Sequence, residues 1–136
     1  MVVPVRYRAP MLARSQGDLI VTLDRTGRCL LIYAVKDWEL VEADLIAMGN
    51  LDERARRLQQ LLMGNATEVA MDAHGRLLLN QELREFVGID RSAMFVGQGK
   101  RCELWDEVRW SEQRVRALEA ESNATDIPPG LVKFSL

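Results

Sequence analysis

The sequence predicts an α+β fold assembled from two tandem copies of one hairpin-and-helix unit. Three observations predict it. Strand-like segments recur at a nearly constant offset, an aromatic-then-tryptophan spacing occurs twice, and strand, turn and helix signals follow the same order in both halves.

The recurrence is direct. Val2-Val3-Pro4-Val5-Arg6-Tyr7-Arg8 parallels Leu78-Leu79-Asn80-Gln81-Glu82-Leu83-Arg84, 76 residues on. Leu19-Ile20-Val21-Thr22 parallels Ala93-Met94-Phe95-Val96 at 74, and Leu30-Leu31-Ile32-Tyr33 parallels Cys102-Glu103-Leu104-Trp105 at 72. Each drift falls in a loop-like stretch. Tyr33 is followed five residues later by Trp38, and Trp105 by Trp110, which uses all three tryptophans.

The second copy reads most cleanly. Residues 66–71 form a short strand. Asp72-Ala73-His74-Gly75 is a turn, because Asp bonds its own downstream backbone and Gly tolerates positive φ. Residues 76–79 resume the strand. Asn80 caps a short helix with Leu83, Phe86 and Val87 on one face, and Gly88 ends it in the left-handed conformation. Strands at 94–96 and 102–105 flank a Gly97-Gln98-Gly99 turn. A long helix then runs from about 106 to 121, with Val108, Val115 and Leu118 turned inward. Between the copies, 52–63 is helical, capped by Asn50 or Asp52. Ala55, Leu58 and Leu62 make one stripe, and Arg54, Arg57 and Gln60 lie opposite. The tail from Ser122 is irregular. The chain accordingly divides into a first unit (1–40), connecting helices (41–65), a second unit (66–110) and a C-terminal helix and tail (111–136).

The offset of 76 places the first copy's counterpart of the 72–76 turn ahead of Met1, so the chain is expected to begin inside its first unit. Asp24-Arg25-Thr26-Gly27-Arg28 has similar letters, but by the repeat it occupies the place of the later hairpin turn.

Composition narrows the function. The chain has 136 residues, 48% of them apolar and 28% charged, with a net charge of −2. It lacks a run of about 18 apolar residues, and its start lacks the long apolar stretch of a signal peptide, so a cytoplasmic location with no membrane partner is expected. The two cysteines, Cys29 and Cys102, read as small buried hydrophobes; no metal and no cofactor are expected. One histidine and the absence of a nucleophile elbow or phosphate loop argue against an enzyme or a small-molecule substrate. The slight negative charge argues against indiscriminate nucleic-acid binding but leaves room for local basic patches. Arg54, Arg56 and Arg57 read as a solvated helix face, and the tryptophans as core or interface residues.

Several segments together resemble the MraZ family, within the wider SpoVT/AbrB group. They are Pro4-Val5-Arg6-Tyr7-Arg8, Cys29-Leu30-Leu31-Ile32-Tyr33 with Trp38-Glu39, residues 57–66, Met71-Asp72-Ala73-His74-Gly75-Arg76-Leu77-Leu78, and Val96-Gly97-Gln98 with Glu103-Leu104-Trp105-Asp106. The likeness covers about residues 1–118. It implies a tandem of AbrB-like swapped-hairpin units forming a pseudo-dimer within one chain, with a β-barrel-like core and flanking helices. It further implies a ring of eight or more subunits and nucleoid association. The ring would bind short promoter direct repeats in double-stranded DNA and usually repress the division and cell-wall gene cluster together with its own gene.

The resemblance makes the Asp-x-x-Gly-Arg turn the DNA-contacting signature, and only the copy at 72–76 carries it in that place. A β-ribbon fits the major groove, and an Arg just past its tip presents a planar fork to phosphate or to guanine. Arg76 is then the reader, braced by Asp72, with Gly75 allowing close approach and His74 at the tip within reach of phosphate. The alternative for Arg76 is an ion pair to Asp72 within the turn. Arg6 and Arg8 read equally as DNA-backbone contacts or inter-subunit ion pairs. Arg28 reads as a hairpin-tip residue that could touch phosphate, and Arg84 as a structural residue paired with Glu85 or a neighbouring subunit. The rival functional reading is an AbrB-like antitoxin, or an oligomeric interaction protein that does not bind DNA.

Overall fold

The computed structural model describes residue 4, residues 18–128 and residue 130. Strands β1 (Asp18–Leu23) and β2 (Leu30–Ala34) form an antiparallel hairpin, and β2 runs straight into helix α1 (Val35–Ala47). Helix α2 (Glu53–Leu62), strand β3 (Thr67–Ala70) and helix α3 (Gln81–Phe86) follow. Strands β4 (Ala93–Gly97) and β5 (Arg101–Asp106) form the second hairpin, which runs into helix α4 (Glu107–Asn123). The strands make one antiparallel sheet in the order β3-β1-β2-β5-β4, so the fold is mixed α+β as the sequence predicts.

The register at the centre of this sheet relates the two hairpins. Leu30 faces Leu104, Leu31 faces Glu103 and Ile32 faces Cys102. Leu30 matches Cys102 in the repeat and Ile32 matches Leu104. Exchanging the hairpins therefore swaps the first and third pairs and maps Leu31–Glu103 onto itself. An approximate twofold axis passes through that pair. Within the hairpins, Val21 faces Ile32 and Phe95 faces Leu104. The first strands thus correspond at an offset of 74 and the second at 72, as read from the sequence, and the slip is absorbed in the hairpin turns. The aromatic pairs repeat as well. Tyr33 and Trp38 lie 5.5 Å apart at 56°, Trp105 and Trp110 5.9 Å apart at 57°.

Local chemistry sets the helix starts. Asp52 accepts the Arg54 amide, Asn80 accepts those of Glu82 and Leu83, and Asp106 accepts that of Arg109. Gly88 has φ +74° and ends α3; a Cβ there would come within 3.0 Å of the Arg109 guanidinium.

Both faces of the sheet are covered, so the central strand β2 is buried along its whole length. On one face Leu19, Val21, Leu30, Ile32, Phe95 and Leu104 pack under the 71–89 segment through Met71, Leu77, Leu79, Leu83 and Val87. On the other, Leu31, Tyr33 and Trp105 pack under Trp38 and Leu45 of α1, with Leu58 and Leu62 of α2 behind them. Two ties hold α2 in place. The buried Thr22 hydroxyl donates to the Leu62 carbonyl, and the Gln59 amide donates to the Leu45 and Gly49 carbonyls at 2.9 and 2.7 Å.

Two apolar stripes lie differently from expectation. Val108, Val115 and Leu118 are 66%, 53% and 64% exposed, and no residue of α4 is buried. Helical spacing puts them on one face, but α1 has α2 packed against it and no described element covers that face of α4. Phe86 is also mostly exposed, because α3 is only six residues long and buries Leu83. Among the described residues, no helix is long and apolar enough to cross a membrane.

Candidate nucleic-acid interface

The turn after β3 is built around one carboxylate. Met71 bridges Leu77, the Asp72 amide donates to the Arg76 carbonyl, and the Gly75 amide donates to the Asp72 carbonyl, both at 3.0 Å. Gly75 is buried with φ +75°, a conformation that costs an L side chain roughly 1–2 kcal/mol. Asp72 Oδ1 accepts the His74 amide at 2.8 Å and the Arg76 amide at 2.9 Å. Asp72 Oδ2 accepts Arg76 Nε–H at 2.9 Å. These donors, the Arg76 backbone amide foremost, hold the Asp72 carboxyl below its ordinary range.

The ion pair within the turn is therefore present, but it engages only Nε. The Arg76 side chain is 60% exposed, and its two terminal nitrogens have no partner among the described residues. Bracing and outward contact are thus compatible: one edge of the guanidinium is fixed and the other faces solvent. His74 and Ala73 are exposed at the tip.

The 24–28 turn lies elsewhere. Because β3 runs antiparallel to β1 with Asp18 opposite Ala70, the 72–76 turn sits beyond the start of β1, whereas residues 24–28 follow its end. The two turns are separated by the length of that strand, roughly 20 Å. Arg28 is exposed and lines a cleft of about 180 Å³ with Trp105, Arg109 and Arg116. Arg6 and Arg8 lie outside the described residues. Arg84 does not pair with Glu85, its neighbour in sequence; its guanidinium donates to the Asp90 carbonyl at 2.7 Å, where the chain folds back after Gly88.

The end of the sheet that carries the 72–76 turn also carries the β4–β5 turn, since β5 starts beside Tyr33 at the end of β2. That brings two unanticipated basic residues to the same end: exposed Lys100, and Arg101, which bonds the Tyr33 hydroxyl at 3.2 Å and Gln98 at 3.1 Å. The signal was available in the Gly-Lys-Arg tip of the hairpin, but only strand order shows which end it occupies.

Comparison with known proteins gives a consistent picture. The family model described as "MraZ protein, putative antitoxin-like" matches residues 62–127. A protein from Haemophilus influenzae (strain ATCC 51907 / DSM 11121 / KW20 / Rd), named transcriptional regulator MraZ, is 40% identical over 134 residues, covering 98% of this chain and 89% of its own. Proteins of the same name from Thioalkalivibrio sulfidiphilus and Thiobacillus denitrificans are 40% and 42% identical over 136 residues, covering all of this chain and 90% of theirs.

Proposed function

The chain belongs to the MraZ family, whose relatives are named transcriptional regulators, and from that premise we propose that it regulates transcription by binding promoter DNA through the 72–76 turn. The observation that carries this reading is the half-braced guanidinium of Arg76, with Nε held by Asp72 and its outer edge open. Such a fork can take two phosphate oxygens, or O6 and N7 of guanine, without reorganising. His74, Gly75 and Asp72 support it, and Arg6 and Arg8 contribute further phosphate contacts, whereas Arg28 lies at the opposite end of the sheet from this turn.

The proposal extends to assembly. Each subunit makes few contacts, so binding to short direct repeats draws its strength from a ring of eight or more subunits engaging several sites at once. Repression of the division and cell-wall cluster and of its own gene, at the nucleoid, follows the family resemblance. The twofold relation of the hairpins supports two AbrB-like units, 1–40 and 66–110, swapped into a pseudo-dimer within the chain. The family description favours one second reading, an antitoxin, whose mark is co-purification of a small partner toxin.

Titrating a promoter duplex that carries the direct repeats, followed by fluorescence anisotropy, tests the proposal. Arg76→Ala is expected to weaken binding at least tenfold and to flatten the salt dependence, while the melting temperature moves little. Unchanged affinity together with a large fall in melting temperature would reduce Arg76 to a structural residue.

A further inference from the structure

We infer that the cleft between α4 and the β1–β2 turn is a binding site for a compact, multiply charged phosphate, a terminal diphosphate group. The cleft lies at the end of the sheet away from the 72–76 turn, so the inference goes beyond the DNA-binding reading.

The repeat supplies the comparison. Arg28, Trp105, Arg109 and Arg116 line this cleft. At the offset of 72 their counterparts are Lys100, Tyr33, Asp37 and Asp44, which line the cleft between α1 and the β4–β5 turn. Each cleft therefore has an aromatic ring in its wall and a cation from the tip of the opposite hairpin. The helices differ. α1 brings two acids to Lys100, whereas α4 brings two more arginines to Arg28. A cation among acids is balanced. Three guanidinium groups around one volume repel each other, and an anion placed among them removes that cost.

The nearby acids do not cancel this charge. Glu112 lines the cleft, but its pair with Arg116 spans 3.8 Å with both side chains more than half exposed, so it is weak and opens readily. Glu103 accepts the Trp105 indole N–H at 3.0 Å, Asp24 accepts the Thr26 amide, and Asp106 accepts the Arg109 amide. None of these three lines the cleft. Residues 109, 112, 113 and 116 share one face of α4 by helical spacing. The Arg109 guanidinium is seated against Gly88, where a Cβ would come within 3.0 Å of it. Gln113 lines the same wall, and its buried Oε1 has no hydrogen-bond partner among the described residues. A side-chain amide can donate to a phosphate oxygen or accept from a protonated one, so a bound phosphate meets that need.

Size and charge select the ligand class. A volume of about 180 Å³ is below the roughly 300–1,000 Å³ of sites for drug-sized ligands, so the cleft admits a diphosphate head and leaves any larger body outside. A terminal phosphate carries up to about two charges, and the planar forks of arginine pair with its oxygens two at a time. The three arginines converge on one volume and are not strung along a face, which suits one concentrated anion better than a line of backbone phosphates.

Calorimetric titration of the whole chain with sodium pyrophosphate, without DNA and with ionic strength held constant by sodium chloride, tests this. The wild type is expected to give a saturable heat, and Arg116→Ala to bind at least tenfold more weakly. Arg109→Asp with Arg116→Asp gives the cleft the acids of its counterpart and is expected to abolish the heat. No side chain of α4 is buried, so the melting temperature of these variants is expected to stay near that of the wild type. Arg76→Ala and Lys100→Ala are expected to titrate as the wild type does. A nucleoside diphosphate that binds more tightly than pyrophosphate would assign the group to a larger molecule, and equal binding would assign the free anion. Absence of saturable heat, or equal heat from a folded Arg116→Ala, overturns the site. If a duplex of unrelated sequence displaces pyrophosphate and Arg116→Ala weakens promoter binding tenfold, the cleft is a DNA-backbone contact and the small-anion assignment is wrong. Loss of promoter binding by the wild type with pyrophosphate binding intact would overturn the DNA reading alone.

Discussion

Residues 24–28 and 72–76 carry the same Asp-x-x-Gly-Arg letters, and in both the glycine adopts a positive φ and donates to the aspartate carbonyl. They part at the side chains. Asp24 spends its carboxylate on the Thr26 amide and hydroxyl, and the turn closes one residue later, on Cys29. Asp72 has histidine, with no hydroxyl, in place of threonine two residues on; its carboxylate reaches the His74 and Arg76 amides and then Arg76 Nε. One hydroxyl thus decides whether the arginine is tethered or loose. The comparison teaches that the five-residue pattern specifies the backbone reversal, whereas the residue inside it specifies what the arginine can do.

The largest expected effect that could break this contrast comes from the aspartates. Asp72→Ala removes the acceptor for three donors and is expected to weaken promoter binding by tenfold or more in anisotropy titrations. Asp24→Ala is expected to change it less than about twofold, since the electrostatic loss at an exposed turn is small. Equal losses would mean that both turns read DNA.

A smaller effect separates charge from geometry. Arg76→Lys keeps a cation but loses the Nε bond and the planar fork, so affinity is expected to fall by roughly one 1.4 kcal/mol step, or tenfold. Arg28→Lys keeps what a loose arginine offers, and its binding isotherm is expected to overlay that of the wild type.

The smallest effect is titration. The folded Asp72 carboxyl lies below the ordinary aspartate value of 3.8, so its stabilisation of the turn is complete above that value and is lost as pH falls through the lower folded value. Amide chemical shifts of His74 and Arg76 followed down in pH should move together in that acid window. Movement confined to the range above 3.8 would contradict the bracing.

A fourth measurement addresses the shared sheet. Burial pushes the thiols of Cys29 and Cys102 up, so both should resist alkylation near pH 8 until the protein unfolds, and then react together.

The sheet was legible in the sequence because pairing register leaves a written trace. The offsets of 74 and 72 reappear as Val21 opposite Ile32 and Phe95 opposite Leu104. The Tyr33–Trp38 and Trp105–Trp110 spacings reappear as two ring pairs of nearly equal geometry. Of the candidate site, the wiring of Asp72 to Arg76 could be anticipated from turn chemistry. Which end of the sheet carries Lys100 and Arg101, and that Arg28 lies at the other, could not, because strand order is not local information. Nor could the exposure of Val108, Val115 and Leu118. Periodicity says which side chains share a face, and it is silent on whether a second element arrives to cover that face. Arg84 shows the same limit, since its partner Asp90 is a backbone carbonyl brought close only by the reversal at Gly88.

The pairing of Leu31 with Glu103 at the sheet's centre has a consequence for synthesis. A chain emerging from the ribosome completes β2, its most apolar strand, long before β5 exists to pair with it. Until then Leu30, Leu31 and Ile32 present an open ladder to any other strand within reach. The nascent first half therefore depends on the speed of elongation, or on a holding chaperone, for its escape from aggregation, and slowing translation between the codons for Ala34 and Arg101 is expected to lower the soluble yield.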